Sequence, residues 1–250
     1  MKTLTFFNEK GGTGKTTLTT LMASWLAYKK GCPVVVYDCD YPSYHLAQMR
    51  ADDLALVVKD PSSAFVQMAG RTKPYPVTKA LSKSTFSPAE LSLLAQRVRE
   101  ARGEGYFLLD FPGRFLPNDP VAYLSKAGLL DLVVFPVDTD RQSRASAMAV
   151  YVKMMKANGA QRVAALWNRE TAAERRGRRD WYGAATAQME DFGIHVIGTR
   201  MRDVLIARRD ASTFGFIRNT LCWPQRNIDK ACPYIEDIFE EIKERLDNGT

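Results

Sequence analysis

Four cysteines in 250 residues, with no CxxC pair among them, argue against a zinc site or a disulfide framework. Cys32, Cys39, Cys222 and Cys232 read instead as buried, reduced thiols of a cytoplasmic protein. Histidine is scarcer still. His45 and His195 are the only two, and they read as an ordinary helix residue and an ordinary strand residue. No apolar run reaches the length of a membrane span, and the chain drops straight into "TLTFF" without a signal-peptide pattern. What remains is 46% hydrophobic and 25% charged, the balance of an ordinary globular protein. The one unusual bulk figure is a formal net charge of +7, which favours a polyanionic partner without identifying one.

Strand and helix patterns alternate almost to the end of the chain. "TLTFF" is a short apolar strand. Leu18, Leu21, Met22, Trp25 and Leu26 then recur at helical spacing up to Gly31. "VVVYD" (Val34–Asp38), "YFLLD" (Tyr106–Asp110), "LVVFP" (Leu132–Pro136), "VAALWN" (Val163–Asn168) and "IHVIG" (Ile194–Gly198) are continuous apolar runs. Such runs suit parallel strands covered on both faces. Helices are expected from Pro88 to Arg102, around Trp181–Phe192, and after the fourth strand, with Ala145, Met148, Ala149, Val152 and Met155 on one face. Lys59–Pro88, rich in Pro, Ser and Lys, reads as a long connection holding one short strand at most. The expectation is an α/β fold: a mostly parallel twisted sheet of about seven strands, helices on both faces, and a single domain over 1–250.

Between the first strand and the first helix lies "FNEKGGTGKTT" (Phe7–Thr17). Glycines let backbone N–H groups turn inward, the helix N-terminus adds its positive dipole end, a lysine reaches the β- and γ-phosphates, and a hydroxyl binds Mg²⁺. Here those parts are Gly12, Gly14, Lys15 and Thr16. The ordinary pattern fails at one residue, because Glu9 stands at the first glycine. There is also a second lysine, Lys10, five residues upstream of Lys15.

"KGGTGKTT" (Lys10–Thr17) resembles the deviant Walker A motif of the ParA/MinD family of P-loop ATPases. "VVVYDCDYPSYHL" is similar to that family's switch I, though Tyr41 is inserted before Pro42 and a glutamine is missing. "YFLLDFPG" resembles its Walker B strand and switch II, and "ALWNR" its adenine-recognising strand end. The resemblance implies a P-loop NTPase fold and a Mg²⁺-dependent ATP hydrolase. Gly11, Gly12, Thr13, Gly14, Lys15, Thr16 and Thr17 would bind the phosphates of ATP, and Asn168 its adenine. Thr16, Asp38 and Asp110 would serve Mg²⁺, while Asp40 would position the attacking water. Lys10 would cross to the nucleotide of a second subunit, making dimerisation depend on ATP.

Three functions compete on this scaffold. A ParA-like partition or positioning ATPase would bind double-stranded DNA without sequence preference, answer to a ParB-like activating partner and sit on the nucleoid. Residues 17–50 resemble the ParA-type proteins of bacterial conjugative transposons in particular. A MinD-like positioner would bind membrane through a basic C-terminal helix. The segment Ile235–Asn248 carries Glu236, Asp237, Glu240, Glu241, Glu244 and Asp247 against Lys243 and Arg245, so anionic lipid would repel it. No membrane partner is expected. A metabolic ATP-dependent ligase of the dethiobiotin synthetase-like type stays open, although such enzymes usually lack the upstream lysine. The scattered cysteines disfavour an iron–sulfur relative. For DNA, the candidates are Arg175, Arg176, Arg178 and Arg179 in "ERRGRRD", with Arg208 and Arg209 after "RMRDVLIA".

Overall fold

Seven strands lie side by side in the order β3-β2-β4-β1-β5-β6-β7, and every neighbouring pair is parallel. They are β1 (Lys2–Phe6), β2 (Val34–Asp38), β3 (Val77–Lys79), β4 (Tyr106–Asp110), β5 (Leu132–Val137), β6 (Val163–Trp167) and β7 (His195–Val196). The computed structural model describes residues 1–249 except 61–63, 71–72, 81–85, 102, 114–118, 157–161, 178, 202–217, 224–227 and 229–231. Of the candidate DNA contacts, Arg178, Arg208 and Arg209 lie outside the described residues, as does the side chain of Arg179.

The described helices are α1 (Lys15–Ser24), α2 (His45–Lys59), α3 (Ala64–Ala69), α4 (Pro88–Glu100), α5 (Pro120–Lys126), α6 (Arg141–Lys156), α7 (Ala172–Gly177), α8 (Arg179–Asp191) and α9 (Ile235–Asn248). Strand residues alternate between two cores. Leu4, Phe6, Val36, Leu108 and Val134 pack with α1 and α9, whereas Phe107, Leu109, Val133 and Phe135 pack with α4, α5, α6 and α8. Both faces of the sheet are therefore buried, as its uninterrupted apolar runs require.

Several sequence expectations are corrected. The first helix does not continue unchanged to Gly31; it passes into a π-helical turn at Trp25–Lys29. Lys59–Pro88 holds the helix α3 as well as the edge strand β3. The pattern also gave no sign of α5 and α7, which are only 7 and 6 residues long. On α6 the buried residues are Ser143, Ala147, Val150 and Met154, while Ala145, Ala149 and Val152 are exposed. The apolar pattern misplaced that face because Ser143 is drawn inward by hydrogen bonding, a role that hydrophobicity does not register.

α9 shows what acid in the C-terminal segment does. Ile235, Ile238, Phe239, Ile242 and Leu246 are buried on the α1 side of the sheet, and Phe239 meets the rings of Trp25 and Trp223. Its acids are largely spent on the protein itself. Glu236 pairs with Lys29, Glu240 with Lys30 and Glu241 with His195, and Asp247 accepts from the Tyr106 hydroxyl. Partly exposed pairs of this kind contribute little beside the buried face. Phe239→Ala should therefore cost about 3–5 kcal/mol in denaturant unfolding, whereas Glu240→Ala should cost less than about 1 kcal/mol.

Candidate nucleotide-binding site

The loop leaves β1 through a buried asparagine. The Asn8 side-chain amide donates to the carbonyls of Pro136 and Ser143, and its Oδ1 accepts from the Lys10 N–H. At the other end Gly14 has φ 92°, and a Cβ there would come within 2.6 Å of Asn168 Nδ2. Glycine is thus required twice over, by conformation and by space. No side chain caps the N-terminus of α1 and no acid sits in its first turn, so its free N–H groups remain turned toward the loop.

The two lysines part company here. Lys15 folds inward, is only 7% exposed, and donates to the Lys10 carbonyl at 3.1 Å. Burial lowers its pKa, opposed by the charges of Asp110 and then Asp40. Gly113 lies against it: a Cβ at that position would overlap Lys15 Nζ. Lys10 turns the other way, to an ion pair with Asp140 at 2.5 Å, and Asp138 stands 3.8 Å off.

Asp38 and Asp110 end adjacent strands and are directly paired in register. Both are buried. Asp38 Oδ1 accepts from the Asp40 N–H, and its Oδ2 from the Ala47 N–H, which ties switch I to the start of α2. Desolvation raises the pKa of Asp38 despite those bonds. Asp110 is more perturbed. Burial, reinforced by Asp38, pushes it up to about 8, against a hydrogen bond with the Thr16 side chain. Its Oδ1 takes a 3.5 Å bond from Thr19, and its buried Oδ2 has no partner within hydrogen-bond distance among the described residues. Among the described residues no three His, Cys, Asp or Glu side chains form a metal cage. A hydroxyl beside a carboxylate with an open oxygen suits a hard cation that keeps most of its waters, as Mg²⁺ does. The residues present fit that ion.

At the end of β6, Asn168 Nδ2 donates to the Thr13 carbonyl at 2.7 Å and leaves its Oδ1 available. The next residue, Arg169, sits at φ 65° and donates to the Gly12 carbonyl at 2.9 Å. Its guanidinium also lies 3.9 Å from Asp138.

Residues 4–99 match the family model described as the CobQ/CobB/MinD/ParA nucleotide binding domain. Over that segment, which holds the loop, Asp38 and Asp40, the chain is similar to this nucleotide-binding family. No curated protein sequence matches it. Solved structures share the fold across nearly the whole chain at low identity. McdA from Cyanothece, without nucleotide, superposes with a TM-score of 0.68 at 17% identity, covering 98% of this chain and 99% of McdA. A plasmid partition protein from Borrelia burgdorferi gives 0.58 at 13% identity, with 98% of each chain covered. MinD from Aquifex aeolicus gives 0.62 at 16% identity, with 97% of each chain covered.

All the residues that the sequence singles out from Lys10 to Thr17 gather with Asp38, Asp40, Asp110 and Asn168 at the carboxyl end of the sheet. Asp40 carries a neighbour with no obvious sequence signal: His45 Nδ1 stands 3.1 Å from its Oδ2. Asp138, Asp140, Arg169 and Gly113 were also missed. Gly113 and Arg169 end the quoted "YFLLDFPG" and "ALWNR" segments without being singled out, and Asp138 and Asp140 have only their position after a predicted strand. The arginine candidates are only partly brought together. Arg176 is exposed on α7, but Arg175 and Arg200 both reach Glu170, at 3.4 and 2.7 Å.

Asp110 supplies a pH test. Its folded-state pKa lies above its unfolded value, so the proton it holds stabilises the ligand-free fold. That contribution is complete below about pH 4 and is lost as pH rises through about 8. Asp110→Asn removes the titration. It should match the wild type in urea melts at acid pH and exceed it by several kcal/mol in alkaline buffer. A difference that does not change with pH would contradict the assignment.

Proposed function

We propose that this chain is a ParA-like ATPase, one domain over residues 1–250, that forms an ATP-dependent dimer. The dimer binds double-stranded DNA without sequence preference and hydrolyses ATP to partition or position DNA or a mobile-element cargo. The observation that carries the reading is the division between two lysines of one loop. Lys15 is buried against its own loop, while the Lys10 ammonium turns away to Asp140 and Asp138 at the rim. A cation held at the rim is placed for a second subunit's nucleotide, where it would offset charge growing between the β- and γ-phosphates.

We assign the remaining roles as follows. The N–H groups of Gly11 to Thr17 and the Lys15 ammonium would bind the triphosphate. Thr16, Asp38 and Asp110 would hold Mg²⁺. When bound, the ion neutralises phosphate charge. Asp40 orients the attacking water, and the open Oδ1 of Asn168 accepts from the exocyclic amine of adenine. Relatives of this fold have been solved with nucleotide: a McdA variant with ATP and a B. burgdorferi partition protein with AMPPNP. The A. aeolicus MinD structures include a complex with MinC, which supports a protein partner for this chain, here a ParB-like activator. No described helix is long and apolar enough to cross a membrane, and the apolar face of α9 is occupied by the core. In this reading the chain works in the cytoplasm, on the nucleoid.

Arg175, Arg176, Arg178, Arg179, Arg208 and Arg209 are the proposed phosphate contacts. Of the two whose side chains are described, Arg175 is paired with Glu170 and Arg176 is exposed, so pairing two subunits should multiply affinity. Sedimentation with plasmid DNA tests this. Retention should require ATP rather than ADP, fall steeply with salt as counterions are released, and weaken in Arg176→Glu without loss of ATP binding. Lys15→Ala should abolish MgATP binding in calorimetry. Wild type that binds ATP but never retains DNA, even at low salt, would favour the metabolic ligase instead.

A further inference from the structure

Glu9 occupies the position where the ordinary phosphate loop has glycine, one residue before Lys10. A carboxylate there should oppose a triphosphate, yet the structure gives it a seat. α6 receives the start of the loop turn by turn. The Ser143 carbonyl accepts from Asn8, and the Ser143 hydroxyl accepts from the Asp138 N–H. The Ser146 hydroxyl accepts from the Glu9 N–H at 3.1 Å. Further along, Lys153 Nζ meets Glu9 Oε1 at 2.7 Å, with the two side chains 35% and 18% exposed. Ser143, Ser146, Val150 and Lys153 follow the i, i+3, i+7, i+10 spacing of one helix face. The face that the apolar pattern failed to find is therefore the one that holds the loop. Asp119, the N-cap of α5, lies within electrostatic reach of both Glu9 and Lys153.

We infer that Lys153 is a positioning residue for the phosphate loop, holding the Glu9 carboxylate back against α6 and cancelling its charge beside the phosphates. Without Lys153, Glu9 would be repelled by Asp119 and left free to compete with the nucleotide for Lys15 and Lys10. The loop tolerates an acid at a glycine position because a cation on another helix answers it. This inference rests on the nucleotide reading of the loop.

The test is a double-mutant cycle read as MgATP affinity by calorimetry, with thermal melts as a fold control. Lys153→Met should weaken binding about tenfold at low salt, as one uncompensated charge near the phosphates would. The defect should shrink in high salt, which a packing loss would not do. Glu9→Gln should bind at least as tightly as wild type. The double variant should return to within about twofold of wild type, the residue being context effects between neighbours. The inference is overturned if Lys153→Met binds like wild type. It is equally overturned if the double variant stays as weak as Lys153→Met, for Lys153 would then act on its own account. Weaker binding by Glu9→Gln alone, whose amide leaves Lys153 in place, would show the carboxylate to be helpful and refute it. Absence of MgATP binding by the wild type would instead strike at the nucleotide reading itself.

Discussion

Charge buried at the carboxyl end of the sheet is the constraint on which the other features depend. Lys15, Asp38 and Asp110 are all almost wholly removed from water, and one oxygen of Asp110 has no hydrogen-bond partner among the described residues. Burying such groups costs several kcal/mol each unless they are paired. Here the pairing is incomplete. The pKa of Asp110 rises and that of Lys15 falls, both driven first by desolvation. A ligand that brings a divalent cation to the carboxylate and phosphate oxygens to the lysine would relieve both at once. The fold thus stores, at one edge, an electrostatic deficit that the proposed MgATP would fill.

Holding that arrangement requires a loop that does not collapse onto its own charges. The loop is braced from several sides. Asn8 ties it to β5 and α6, Asn168 and Arg169 hold the carbonyls of Thr13 and Gly12, and Gly113 leaves room for the Lys15 ammonium. Fixed in this way, the loop presents its two cations in opposite directions, one inward and one to the rim. Asp138 stands near both Lys10 and Arg169, so the outward lysine is electrostatically tied to the strand end that braces the cradle. Switch I is tied in as well. Asp38 accepts from the Ala47 N–H, which ties the start of α2 to this strand-end carboxylate.

Much of this was legible in the sequence because it is local. "KGGTGKTT" with a strand before it and a helix after it can adopt few other conformations. "VVVYD" and "YFLLD" likewise announce strands that end in acids. What could not be read depends on where separate strand ends meet. Asp140, Arg169 and Lys153 are ordinary charged residues until folding sets them against Lys10, Gly12 and Glu9. β3 was only half anticipated, since a three-residue edge strand carries almost no periodicity. α6 was misread for a physical reason: its buried face includes serines that bond the loop backbone. The acidic C-terminal segment, read as unsuited to anionic lipid, is a helix docked on the core, and its acids are ion-pair and hydrogen-bond partners for neighbouring elements.

The central claim is that Lys10 acts on the partner's nucleotide, and a mixed dimer tests it most directly. Lys10→Ala and Asp40→Ala should each bind ATP and hydrolyse almost none alone. In a mixed dimer, the Lys10→Ala subunit keeps its own Asp40 and receives Lys10 from the Asp40→Ala subunit, so one complete site is rebuilt. Steady-state hydrolysis should therefore rise well above either variant when the two are combined with ATP. If native mass spectrometry shows mixed dimers and hydrolysis remains at the level of the separate variants, Lys10 serves its own site and the account is wrong.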